Sequence, residues 1–184
     1  MVLTSANSIQ DIKRQIELIG ETLQKTSEAE GLINEIDERL TELNSVPLHN
    51  EPSVLLVYGA PGSNLAALPN SLGGDLLEAA GGINVAASFE QLQEFPQYAA
   101  LSPERIIEAN PDIVLFMAHG DPVAVEDSFI REMEQHAGWS QLPAVQEGRL
   151  DVLPADLFGT NPGTRIIEAL EHMRELLDGV GAEE

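Results

Sequence analysis

The chain contains no cysteine. That excludes disulfides, thiolate metal centres and a cysteine nucleophile. Aromatic residues make up only 4%, few for a pocket that would bind a large ligand unaided. Cations are scarce too: 9 Lys and Arg stand against 31 Asp and Glu, a formal net charge of −22. A field of that sign repels phosphate backbones and anionic lipid, so nucleic acid is not an expected partner. No apolar run approaches the ~20 residues that span a bilayer. Met1-Val2-Leu3 leads straight into polar sequence, without the pattern of a signal peptide. Sequence signatures of catalysis are missing as well. There is no G-x-x-x-x-G-K-[ST], no G-x-G-x-x-G, no G-x-S-x-G and no H-E-x-x-H. Asp121, Glu126 and Asp156 could do acid–base work, but nothing pairs them in sequence, so they read as exposed charge.

What is present is a globular composition, 43% apolar over 184 residues, enough for a sizeable core. Ile9, Ile12, Ile16, Ile19 and Leu23 form one helical stripe, with Ser8 as N-cap. Ser27 and Glu30 read as a capping box opening a second helix striped by Leu32, Ile33, Ile36, Leu40 and Leu43. Its acidic outer face reads as solvated. Beyond Pro47 and Pro52 the pattern alternates strand and helix. Buried strands are predicted at Ser53–Tyr58, Asp112–Met117 and Arg149–Leu153, and a short one at Ile83–Val85. Helices are predicted at Gly73–Ala80, from Ser102-Pro103 to before Pro111, from Pro122 through Val125, Phe129 and Met133, and at Thr164–Leu177.

This alternation predicts an α/β fold, three-layer and doubly wound, with a mainly parallel sheet of about four or five strands. Ligands bind such sheets at the carboxyl ends of the strands. The rule selects the loops Tyr58–Asn64, Ala118–Asp121 and Pro154–Gly163. His49, His136 and His172 read as surface residues. His119 differs, because it comes after a buried strand at the ligand edge and Gly120 leaves its loop open. Its imidazole suits a borderline metal such as iron.

Four segments resemble the C-terminal half of the helical-backbone substrate-binding proteins of ABC importers. They are Ser53–Gly62, Gly74-Asp-Leu-Leu-Glu-Ala-Ala-Gly-Gly-Ile-Asn-Val85, Leu101-Ser-Pro-Glu-Arg-Ile-Ile-Glu-Ala-Asn-Pro-Asp-Ile-Val-Leu115, and Trp139 with Ala144–Arg149. Within that family, Tyr58-Gly-Ala-Pro-Gly-Ser63, Ala118-His119 and Asp156-Leu-Phe-Gly159 resemble the haem-receptor lipoproteins of Gram-positive iron uptake.

The resemblance implies the C-lobe of a class III periplasmic-binding-protein fold. Residues 1–45 would be a helical segment including the long inter-lobe helix, 53–178 the ligand-binding α/β lobe, and 179–184 an acidic tail. The family's N-terminal lobe, signal peptide and lipobox would not be in this chain. The implied function is binding of haem, or another iron chelate, between lobes and delivery to permease subunits, extracytoplasmically, as a cell-surface lipoprotein or in a periplasm. His119 would be the axial iron ligand, with Tyr58, Ser63, Asn64 and Phe158 around the cargo. Glu104 would dock on the permease. An Fe(III)-siderophore or cobalamin receptor is the alternative within the class. An α/β enzyme or cofactor-maturation subunit is the alternative outside it. An uncovered inter-lobe face would favour a dimer of the isolated fragment.

Overall fold

The structure is a computed structural model. It describes residues 5–60, 63–117 and 138–180, together with 129, 131 and 133.

The chain opens with a helical hairpin. Helix α1 spans Ile9–Thr22, and the Ser8 hydroxyl accepts from the Asp11 N–H at 3.1 Å as its N-cap. Helix α2 spans Thr26–Ser45, about 30 Å at 1.5 Å per residue. The predicted capping box is corrected here: Ser27 lies inside the helix, and the N-cap is Lys25, with no side-chain cap bond. The two helices run antiparallel. Lys13 pairs with Asp37 at 2.5 Å, and Gly20 lies so close to Ala29 that an added Cβ would come within 2.4 Å of the Ala29 Cβ.

Among the described residues, six strands form one mixed, mainly parallel sheet. Strand β1 (Ser53–Ala60) lies at its centre. It pairs in parallel with β3 (Ile83–Asn84) and β5 (Ile113–Met117), and β5 pairs in parallel with β6 (Leu150–Val152). On the other side β1 pairs antiparallel with β2 (Ser63–Ala67), and β2 antiparallel with β4 (Tyr98–Ala100). The loop expected across Tyr58–Asn64 is corrected: β1 continues to Ala60 and returns as β2 in a hairpin. Strands β2 and β4 are short and carry Ser, Asn and Ala, so neither shows the apolar run of the central strands.

Helices cover both faces. Alternate residues of the central strands point to opposite sides, as the pleat requires. Val54, Leu56, Leu115 and Met117 pack with α1, α2, α3 (Leu72–Ala79) and α6 (Ile166–Gly179). Leu55, Val57, Val114 and Phe116 pack on the other side with Ile106 of α4 (Pro103–Ala109), Ala144 of α5 (Pro143–Gln146), and Phe129, Met133 and Trp139. Both surfaces of β1 and β5 are therefore dry, which is why their sequences are unbroken apolar runs. The Pro154–Gly163 stretch predicted as loop contains a helical turn at Ala155–Gly159.

The Gly74–Val85 motif is explained by the turn it builds. Gly81 adopts φ +97, donates to Glu78 O at 3.0 Å, and Gly82 donates to Leu77 O at 3.0 Å. This is a Schellman closure of α3, which a left-handed glycine permits. Asn84 is buried and anchors the end of β3: its amide donates to Ala67 O at 3.0 Å and its carbonyl accepts from Ala86 N at 2.9 Å.

Candidate functional site

Strands β1 and β5 end side by side, with Tyr58 in register with Met117. At that carboxyl edge lies an open cavity of about 270 Å3. Its floor is Met117 and Leu76. One wall is the start of α3, where Ser71 caps the helix by accepting from Gly74 N at 3.0 Å. Leu157, Phe158 and Thr160 form the opposite wall, and Asn7, just before α1, joins the rim. A larger recess of about 620 Å3 lies at the other edge, where β5 and β6 begin. Its arginine is occupied: Arg149 donates to Asp112 O at 2.6 Å and pairs with Glu147. The carboxyl edge is the ligand-binding edge of open α/β sheets, so the smaller cavity is the candidate site.

The chain's two tyrosines meet there. Tyr58 lies near the end of β1 and Tyr98 opens β4, and their rings stack with centroids 5.0 Å apart and planes at 25°. Burial raises the Tyr98 phenol above its ordinary pKa, and Tyr58 beside it adds to the shift. Stacked on Tyr58, the Tyr98 ring offers a flat aromatic contact and its phenol a hydrogen-bonding group. Phe158 is only 7% exposed, its ring 6.1 Å from that of His172. It is a fixed wall. His172, expected at the surface, is half-buried behind it.

Tyr58 and Phe158, both anticipated, line the same cavity. Ser63 and Asn64 lie on the adjoining hairpin, paired through the backbone with Ala60 and Gly59. His119, Gly120, Asp121, Glu126 and His136 lie outside the described residues. Asp156 is paired with Arg165 at 2.8 Å, which lowers its pKa. His49 is exposed, 3.3 Å from Asp178. Among the described residues, no group of three or more His, Asp or Glu could hold a metal ion, and no helix is long and apolar enough to cross a membrane. Tyr98 and Gly73 were missed as lining residues, while Thr160 falls within the selected stretch Pro154–Gly163. Tyr98 sits in a segment without periodicity, and only pairing through β2 brings it to Tyr58.

Glu104 occupies the first turn of α4, where Ser102 is the N-cap, accepting from Arg105 N at 3.3 Å. Its carboxyl is lowered by hydrogen bonds to its own backbone N–H and to Ser102. Leu65 is in register with both Tyr58 and Ala100. Strand β4 therefore ends level with Tyr58, and Glu104 comes next along the chain from the same edge of the sheet.

Residues 1–157 match the family model described as periplasmic binding protein. The high-affinity heme uptake system protein IsdE of Staphylococcus aureus strain RF122 is 30% identical over 175 residues, covering 94% of this chain and 57% of that protein. The chain thus spans little more than half the length of that relative. An ABC transporter substrate-binding protein from Listeria monocytogenes superposes with TM-score 0.82 at 30% identity, over 92% of this chain and 64% of the other. S. aureus IsdE complexed with heme gives TM-score 0.79 at 26% identity, over 93% and 65%. With cavity, sheet edge and family model in agreement, the chain belongs to the periplasmic binding protein family.

Proposed function

We propose that this chain is the ligand-binding α/β part of an extracytoplasmic receptor that delivers an iron compound, haem in the first place, to an ABC-importer permease. The observation that carries this reading is the aromatic cavity at the carboxyl ends of β1 and β5, in a chain 30% identical to a heme uptake protein. A flat macrocycle needs apolar and aromatic contact over its faces and one nitrogen for its iron. Tyr58, Tyr98 and Phe158 offer the contact. His119, two residues beyond Met117 in sequence, is the proposed axial ligand, and Ser63 and Asn64 on the adjoining hairpin are proposed as further contacts. The cavity is slightly below the ~300–1,000 Å3 of closed small-molecule sites, which suits one wall of a site shared between two lobes. The division into a helical segment 1–45, a lobe 53–178 and an acidic tail 179–184 belongs to the same proposal. In this reading the protein binds and hands on its cargo and catalyses nothing.

The test is a hemin titration of the chain monitored in the Soret region. A saturable band shift at one equivalent supports the proposal. A spectrum equal to that of free hemin at every ratio, or turnover of the porphyrin, overturns it.

A further inference from the structure

All nine lysines and arginines of the chain fall at described positions, so the partners of positive charge can be traced through the whole sequence. Lys13, Arg14 and Lys25 are paired with Asp37, Asp11 and Glu28. Arg39 is held by Glu42 and Glu171, and Arg149 by Glu147. Arg165 is held by Asp156 and Glu168. Arg174 donates to two backbone carbonyls, Arg105 stands 5.5 Å over the Phe89 ring, and Arg131 is engaged as well.

The carboxyl-edge cavity is lined wholly by uncharged residues, with Asn7, Ser71, Gln97, Thr160 and Asn161 as its polar side chains beside the tyrosines. A bound anion at this described lining would therefore meet amides, hydroxyls and rings, and no Lys or Arg side chain, within a chain of net charge −22. Repulsion of that kind reaches about 10 Å at 0.1 M salt and shrinks as salt rises.

We infer that this site selects its cargo against negative charge: it takes a porphyrin or iron chelate through uncharged faces, leaves any carboxylates in solvent, and rejects polyanionic chelates. The inference deepens the iron-compound reading and rests on it. For haem it assigns the macrocycle, and not the propionates, as the recognised part.

The experiment compares hemin with hemin dimethyl ester, titrated into the chain at about 0.05 M and about 0.5 M NaCl and read by the Soret band. The expected result is hemin affinity rising about two- to fivefold with salt. The ester, whose carboxylate charge is removed and whose ferric core leaves it net positive, binds at least as tightly as hemin at low salt and loses affinity as salt rises. That comparison also removes any effect of salt on the fold itself, which both ligands share. Hemin affinity that falls with salt, together with a weaker ester, means that a cation clasps the carboxylates. It overturns the inference while leaving the haem reading in place. If neither porphyrin binds, the haem reading falls, and the inference with it.

Discussion

The guanidinium of Arg174, on α6, donates to the carbonyl of Ala80 at 2.9 Å, and its second arm reaches the carbonyl of Val46. Ala80 ends α3 and Val46 ends α2. One cation thus serves two helix C-termini, where carbonyls lack intrahelical donors and the dipoles are negative. Arg174→Met keeps most of the aliphatic stem and removes both bonds. It is expected to destabilise the fold by about 1.5–3 kcal/mol, measured by urea unfolding. Arg174→Lys recovers part of the loss, because a single ammonium cannot span both carbonyls in the same planar fork.

Neighbouring glycines at the start of α3 differ in what they tolerate. A Cβ on Gly74 would sit 2.1 Å from the Leu68 carbonyl oxygen, a backbone atom within the turn that the Ser71 cap fixes. A Cβ on Gly73 would meet the Met117 sulfur at 2.8 Å and Leu56 at 3.0 Å, both side-chain ends. Methionine is the more adaptable neighbour. Gly74→Ala is expected to cost about 3 kcal/mol or more, and Gly73→Ala about 1 kcal/mol. Thermal unfolding of the two variants checks the ranking.

Asp75 accepts from the Ile9 N–H at 2.7 Å, tying the first turn of α1 to α3. Burial raises its pKa above the ordinary carboxylate value. The Ile9 bond opposes that shift, and nearby Asp11 adds to it. A carboxyl whose folded pKa lies above its unfolded one weakens the fold when it is ionised. The penalty is present at neutral pH and disappears as pH falls through the folded pKa. Asp75→Asn keeps an acceptor for Ile9 and cannot ionise. It is expected to be more stable than wild type at pH 7, by less than about 1 kcal/mol since the group is only half-buried. The advantage vanishes in acid. A pH series of melting temperatures reads this, and an advantage that grows toward low pH contradicts it.

The central layer was legible because β1, β5 and α6 carry strong periodic or continuous apolar patterns, and Ser8 and Ser102 are caps where local chemistry places them. The hairpin across Ala60–Ser63 was not legible. Gly59, Pro61 and Gly62 read as loop in isolation, and only the pairing of Tyr58 with Leu65 extends the strand. Ser27 looked like a cap because Glu30 stands at the right distance, but the cap position lies two residues earlier, at Lys25. The Gly74–Val85 motif pointed to the family correctly. Its C-terminal residues close α3 and anchor β3: Gly81 and Gly82 form the Schellman turn, and Asn84 pins β2. Two of the three aromatic residues lining the cavity, Tyr58 and Phe158, were evident from their positions after strands. Tyr98 was not, because its contact with Tyr58 arises through two strand pairings.

Glu104 combines exposure with a carboxyl held ionised at the first turn of α4. As a docking carboxylate it would meet a cationic surface of the permease, and its removal should affect delivery alone. Glu104→Gln is expected to leave hemin affinity unchanged and thermal stability within about 1 kcal/mol, the size of a helix-dipole contribution. Transport in cells or vesicles carrying the permease is expected to fall several-fold. Normal uptake with this variant removes the docking role.

The iron ligand gives the sharpest test of the proposed function. Among the histidines, His119 alone comes directly after a central strand, two residues beyond Met117 at the cavity floor. Iron takes a neutral imidazole nitrogen, so protons and iron compete for the same lone pair. His119→Ala is expected to lower hemin affinity by at least about tenfold, or 1.4 kcal/mol, and to change the ligand-field bands of the ferric complex. His119→Met is expected to restore binding with a different spectrum, because a thioether is also a haem ligand. For the wild type, affinity should fall between about pH 8 and about pH 5, where imidazole takes up its proton. The alanine variant should lose most of that pH dependence. An alanine variant with full affinity, an unchanged spectrum and the same pH profile would place the iron on another residue, and Tyr58 would be the next to substitute.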